Sequence, residues 1–206
     1  MLKKVYITPF FQKNKYGKIV YSLNEEWFKY LNKLGFNTEI LTPFNLKYMK
    51  LQKDYGVIIS GGGDISKFVN NEQNILRDKF EIKIIKHCYE NKIKIIGICR
   101  GMQLFASLYK CKFRIDKKHI KKNNLQHKIK INKSFGLKTK YITVNSHHKY
   151  CLENTPNQIE QIGLANDKTI EIISTTKKIF LGLMFHPERK NINQKIVNKI
   201  IYRWLK

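Results

Sequence analysis

Ile95-Ile96-Gly97-Ile98-Cys99-Arg100-Gly101-Met102-Gln103-Leu104-Phe105 is the stretch that decides how this chain folds. The apolar run from Ile93 to Ile98 reads as a buried strand, and Arg100 to Tyr109 follows as a helix-compatible run. Cys99 stands between them with a glycine two positions away on each side. Gly-x-Cys-x-Gly suits a sharp strand-to-helix turn, because Gly97 and Gly101 remove side chains where the two elements crowd and let the cysteine take a strained conformation. A thiol held there lies at a helix N-terminus, where free N–H groups and the helix dipole favour the thiolate. The N–H of Arg100 then faces the atom under attack. An inert cysteine buried behind a core strand is the plainer alternative, and the paired glycines argue against it.

Upstream, Tyr55 to Ser60 reads as a strand running into Gly61-Gly62-Gly63-Asp64. Consecutive glycines at a strand end let backbone N–H groups approach an anion or oxyanion closely. A helix over Asn71 to Tyr89 follows, so strand and helix alternate up to Tyr109. That alternation implies a parallel sheet whose strand ends, at Ser60 and Cys99, gather at one edge. Val5 to Thr8 is a first strand, ended by Pro9 and a loop from Phe10 to Lys18 with a turn at Tyr16-Gly17. Ser22 with Glu25 reads as a capping box for a helix carrying Leu23, Trp27, Tyr30, Leu31 and Leu34, closed by Gly35. Asn37 to Leu41 is a second strand, and Pro43 opens a connection toward Asp54.

Past the elbow, Lys110 to Phe135 reads as a surface excursion whose most basic run is Lys117-Lys118-His119-Ile120-Lys121-Lys122. It is either a solvated charged loop or a flap that meets an anionic group. Ile129 to Ile131, Tyr141 to Val144, Ile159 to Leu164, Thr169 to Ser174 and Ile179 to Phe185 read as antiparallel strands. A last helix, Asn191 to Trp204, turns Ile192, Ile196, Val197, Ile200, Ile201 and Trp204 inward. Leu181-Gly182-Leu183-Met184-Phe185-His186-Pro187-Glu188 brings a histidine to a strand end, with Pro187 bending the chain so that Glu188 returns to the ring. A thiol nucleophile needs a base, and the base needs a carboxylate to hold its tautomer. Cys99, His186 and Glu188 supply all three roles.

The 206 residues suit one domain, residues 1–206, with a full core. No run reaches membrane-span length and the N-terminus has no signal-peptide pattern, so a cytoplasmic protein is expected. Cys88, Cys99, Cys111 and Cys151 form no Cys-x-x-Cys pair, so neither a zinc knuckle nor a disulfide framework is expected. The formal charge is +25, but only five of 40 basic residues are arginine. Scattered lysine argues against a specific nucleic-acid reader, while a positive field draws in an anionic small substrate.

These motifs resemble the class I glutamine amidotransferase superfamily, through Gly97-x-Cys99-x-Gly101-x-Gln103 and His186-Pro187-Glu188. Ser60-Gly61-Gly62-Gly63-Asp64-Ile65-Ser66 and Val144-Asn145-Ser146-His147-His148 are further similar to its γ-glutamyl hydrolase branch, peptidase C26. The resemblance implies an α/β fold: a flavodoxin-like three-layer sandwich with a mostly parallel central sheet and a nucleophile elbow. It implies catalytic Cys99, His186 and Glu188, an oxyanion hole from Arg100 with Gly62 or Gly63, and a glutamyl site from Gln103, Asn145, Ser146 and His147. No cofactor or metal is implied. The branch includes γ-glutamyl-GABA hydrolases, but this chain is shorter and has Lys110-Cys111-Lys112 where they carry a Gly-Gly pair. Its length, lysine content and basic flap are similar to the γ-glutamyl-CDP-amidate hydrolases of capsule phosphoramidate synthesis. The expected activity is therefore hydrolysis of an anionic γ-glutamyl amide to glutamate and cytidine diphosphoramidate. The alternatives are a γ-glutamyl-GABA hydrolase and a glutaminase subunit feeding ammonia to a synthetase partner.

Overall fold

The computed structural model describes residues 3–46, 55–120, 125–131, 137 and 139–206. Its main sheet is ordered β4-β1-β5-β6-β13-β12-β11-β8-β9, with β1 Lys3–Ile7, β4 Phe36–Ile40, β5 Gly56–Ile59, β6 Lys94–Ile98 and β13 Phe180–Leu183. These five run parallel. The central three, β5, β6 and β13, read as nearly unbroken apolar runs because both faces are covered, whereas the edge strand β4 carries Asn37, Thr38 and Glu39. β12 (Ile170–Thr175), β11 (Ile159–Ala165), β8 (Gln126–Ile131) and β9 (Tyr141–Asn145) extend the sheet antiparallel. Two short strands, β7 (Phe113–Ile115) and β10 (Tyr150–Leu152), pair beside β12.

Two apolar layers flank the sheet. On one face α1 (Glu25–Lys33) and α4 (Gln194–Leu205) contribute Trp27, Leu31, Val197, Ile200 and Trp204. On the other α2 (Glu72–Glu90) and α3 (Arg100–Leu108) contribute Phe80, Ile84, Met102 and Phe105. α4 is pinned to the centre, since the Trp204 indole N–H donates to Ile95 O at 3.1 Å. The three-layer α/β sandwich expected from the sequence is therefore present. Among the described residues, no helix is long and apolar enough to cross a membrane.

Local expectations fail in five places. Phe10 to Lys18 is no simple loop: β2 (Phe10–Lys13) and β3 (Ile19–Ser22) form an antiparallel hairpin. Asn14 Oδ1 accepts from the N–H groups of Tyr16 and Lys18, and Gly17 turns the corner at φ +74°. Consequently Ser22 ends a strand, and Asn24, not Ser22, is the N-cap of α1, with no side-chain cap bond. Ile179 to Phe185 is antiparallel on its β12 side only, for β13 lies parallel to β6 on the other. Ile192 is 68% exposed because α4 starts two residues later, at Gln194. The basic run is in part a 3-10 turn, Lys117–Ile120, that buries His119. Lys121 and Lys122, like the approach to Asp54, lie outside the described residues.

Candidate active site

The C-terminal ends of β5, β6 and β13 meet at one edge of the sheet, and each delivers one part of the site. Cys99 follows β6 at φ +47° and ψ −99°, a conformation that a non-glycine residue holds only when its surroundings enforce it. The enforcement is visible on both sides. Cys99 N–H donates to Leu183 O at 2.7 Å, and Cys99 O accepts from Gln103 N–H at 2.9 Å. A Cβ on Gly101 would lie 2.4 Å from Ile59 O, and one on Gly97 would lie 2.5 Å from the Phe180 ring. The two glycines thus let β6 and α3 close on each other as the sequence spacing requires.

β13 supplies the partners. His186 Nδ1 lies 2.6 Å from Glu188 Oε1, and the ring and the Cys99 side chain meet over Gly61. All three groups are nearly buried, with Cys99 6% exposed. Burial alone would push His186 down, but the Glu188 carboxylate and the neighbouring Cys99 sulfur outweigh it and raise the imidazole to about 9. Burial opposes the Cys99 thiolate, yet neighbouring His186, with His148 and the Arg100 N–H, brings it below the ordinary thiol value. A thiolate–imidazolium pair is the state that this arrangement favours.

β5 runs into the glycine segment. Gly62 and Gly63 sit at φ +88° and +72°, a region that side chains strain to occupy. Gly61 leaves room for the histidine, since a Cβ there would be 2.6 Å from His186 Cε1. Arg77 of α2 reaches under the loop and donates to Ser60 O at 2.8 Å, Gly62 O at 2.8 Å and Gly61 O at 3.3 Å. With those carbonyls held from behind, the loop's conformation is fixed beside Cys99. Arg77 also donates to Glu81 Oε1 at 2.8 Å, and Arg100 pairs with Glu81 and Asp78 while donating to Asp64 O at 3.1 Å. This buried four-residue ionic cluster ties the glycine loop to the elbow helix. Sequence reading missed it, because Arg77, Asp78 and Glu81 look like ordinary polar positions of a long helix; their i, i+4 spacing was the available signal.

The residues expected to hold the glutamyl group separate into two kinds. Asn145 bonds the backbone of His186 at both groups, accepting from N–H at 2.9 Å and donating to C=O at 2.7 Å. Gln103 donates to Tyr150 O at 3.0 Å, and Ser146 Oγ donates to His119 O at 3.1 Å. These three side chains are buried and engaged within the protein. His147 alone is exposed, its ring 5.7 Å from that of His186. Burial of part of the ring, then Arg189 and His186, lower it to about 4. A cavity of ≈ 330 Å³ opens onto Gly61, Gly62 and His186 and is bordered by Phe10, Asn24 and Arg189. The next groove, which shares Glu188 and Arg189, carries Lys29, Lys33 and Lys190. The described part of the basic run, Lys117 to Ile120, lines neither.

The sequence profile of "Glutamine amidotransferase class-I" matches residues 19–201. The chain belongs to that family. It is 33% identical over 172 residues to a γ-glutamyl-CDP-amidate hydrolase of Campylobacter jejuni, a match covering 81% of this chain and 80% of that one. It is 30% identical over 161 residues to a glutamine-hydrolysing GMP synthase of Campylobacter jejuni, covering 77% of this chain but 29% of that protein. Among solved structures, a glutamine amidotransferase of Thermotoga maritima superposes with a TM-score of 0.69 at 15% identity, covering 100% of this chain and 97% of the other. The class I fold is the same despite that low identity.

Proposed function

We propose that this chain hydrolyses a γ-glutamyl amide through a thioester on Cys99, and that its substrate is γ-glutamyl-CDP-amidate. The observation that carries the reaction is the strained Cys99 beside His186, itself 2.6 Å from Glu188. The Cys99 thiolate adds to the γ-carbonyl carbon, and the oxyanion is met by the N–H of Arg100 with that of Gly62 or Gly63. The His186 imidazolium gives its proton to the departing nitrogen, leaving a γ-glutamyl thioester. His186 then takes a proton from water, whose oxygen attacks the thioester; glutamate leaves and the thiolate returns. Glu188 keeps Nδ1 protonated and steadies the imidazolium. The chain works as a single domain over residues 1–206.

The nucleotide half rests on the similarity to the Campylobacter jejuni hydrolase and on the cations at the mouth of the site, Arg189 with Lys29, Lys33 and Lys190. A diphosphate leaving group offers these cations more negative charge than the single carboxylate of γ-aminobutyrate, and ammonia offers none. Glutamate release should be measured from glutamine, γ-glutamyl-GABA and γ-glutamyl-CDP-amidate, with Cys99→Ala as the blank. The expected kcat/KM is at least about tenfold higher for the nucleotide. Equal or better turnover of γ-glutamyl-GABA would overturn the substrate assignment. Glutamine turnover that rises with a synthetase would replace it by ammonia delivery.

A further inference from the structure

The glycine loop and the elbow helix are tied to one buried carboxylate. Glu81 of α2 is fully buried; its Oε1 accepts from Arg77 Nε and from Thr8 Oγ1, each at 2.8 Å, and its Oε2 pairs with Arg100. Thr8 Oγ1 in turn accepts from Ser60 N–H at 3.1 Å. The two arginines lead to the two halves of the proposed oxyanion hole, because Arg77 holds the loop carbonyls and Arg100 carries one of the donating N–H groups.

A trans peptide sets its N–H opposite its C=O. Arg77 Nη1 donates to Gly62 O and Nη2 to Ser60 O, both at 2.8 Å, while Gly61 O and Ser60 Oγ lie 3.3 and 3.0 Å from Nη2. Each carbonyl turned to the guanidinium therefore turns the N–H of the next residue away from it, at Gly61, Gly62 and Gly63 in succession. The loop also abuts the reacting pair, since a Cβ on Gly61 would lie 2.6 Å from His186 Cε1 and 3.4 Å from Cys99 Cβ. Gly62 and Gly63, at φ +88° and +72°, are free of the side-chain restraint that would otherwise limit peptide rotation. A peptide that rotated here would present its carbonyl to the oxyanion and repel it.

Stability alone is a poor reason for such a cluster. Arg77 and Arg100 are 1% and 0% exposed, and buried ion pairs are often no more stabilising than apolar residues of the same volume. Arg77 keeps its charge, for burial and then Arg100 lower it only to about 10 against the opposing pull of Glu81. What the ions supply is direction. A planar guanidinium with Nε fixed by Glu81 presents Nη1 and Nη2 at set angles, which an ammonium on a flexible stem does not.

We infer that Arg77 is a positioning residue for the hydrolysis proposed above, on which this inference rests: fixed by Glu81, it keeps the carbonyls of the glycine loop turned back so that the N–H of Gly62 or Gly63 meets the oxyanion. It acts through the loop and not on the reacting atoms.

Alkylation of Cys99 by iodoacetamide forms no oxyanion, whereas acylation by a γ-glutamyl amide does, so two reactions of one sulfur separate the hole from the triad. Arg77→Lys keeps the charge and loses the fork. It should lower kcat for γ-glutamyl-CDP-amidate at least about tenfold with KM nearly unchanged, and should leave the rate and pH profile of alkylation as in the wild type. Circular dichroism checks the fold. If Arg77→Lys unfolds, Glu81→Gln, which keeps the volume and both arginines, takes its place and should show the same split. Wild-type kcat in a folded variant, equal losses in turnover and alkylation, or loss of the fold in both variants would overturn the inference and leave the hydrolysis standing. Wild-type protein that releases no glutamate from γ-glutamyl-CDP-amidate, γ-glutamyl-GABA or glutamine would instead remove the hydrolysis, and this inference with it.

Discussion

At the scale of single residues, the chemistry turns on where the proton sits between Cys99 and His186. Cys99 is lowered from the ordinary thiol value and His186 is raised to about 9, so the ion pair spans the interval between them. The thiolate forms as pH rises through the lowered cysteine value, and the imidazolium is lost only as pH passes about 9. Alkylation of Cys99, followed against pH, should therefore rise at a pH below that of a free thiol. His186→Ala should move that rise upward, because burial of the sulfur remains while the charge opposing it is gone. An unchanged midpoint would mean that His186 does not set the ionisation of Cys99. These two residues and Glu188 stand out in the sequence as the proposed nucleophile, base and carboxylate because each lies at a strand end beside glycine or proline. Asn145 was read too, but as a glutamyl contact; only three dimensions show that its amide spans both backbone groups of His186.

At the scale of elements, the elbow is a close approach between β6, β5 and α3. Gly101 has no free volume, since a Cβ would strike Ile59 O at 2.4 Å, a backbone atom that cannot swing away. Gly101→Ala should lower stability by about 1–3 kcal/mol and depress kcat more than KM, as the displaced helix carries Arg100 N–H away from the oxyanion. Denaturant unfolding and steady-state kinetics check both, and a stable, fully active variant would contradict this account of the spacing. The central parallel strands β5, β6 and β13 were legible because burial on both faces writes them as nearly continuous apolar runs. The β2–β3 hairpin was not, since its strands mix lysine, glutamine and tyrosine and of their residues only Phe11 is buried. The ionic cluster of Arg77, Asp78, Glu81 and Arg100 was hidden for a similar reason: charge in a helix reads as solvent-facing until a partner element covers it.

At the scale of the whole molecule, the charge of +25 sets how ligands arrive rather than what the fold is. Turnover of an anionic γ-glutamyl substrate should fall in kcat/KM as salt rises through the physiological range, with glutamine turnover far less affected. Arg189→Ala should raise KM for the nucleotide substrate alone, and equal losses on both substrates would deny Arg189 a part in selectivity. The sheet order and the two covering layers follow from alternating strands and helices, so the architecture was legible as a class. The proposed leaving-group side was not, because Arg189, Lys29 and Phe10 line the two neighbouring cavities from distant parts of the chain.

The central claim is covalent, and mass spectrometry addresses it directly. Wild-type protein mixed with γ-glutamyl-CDP-amidate and quenched in acid within the first turnovers should carry one glutamyl group on the peptide containing Cys99. Cys99→Ala treated in the same way should carry none. Rapid release of glutamate with no glutamyl adduct on Cys99, or with the adduct on another residue, would contradict the account.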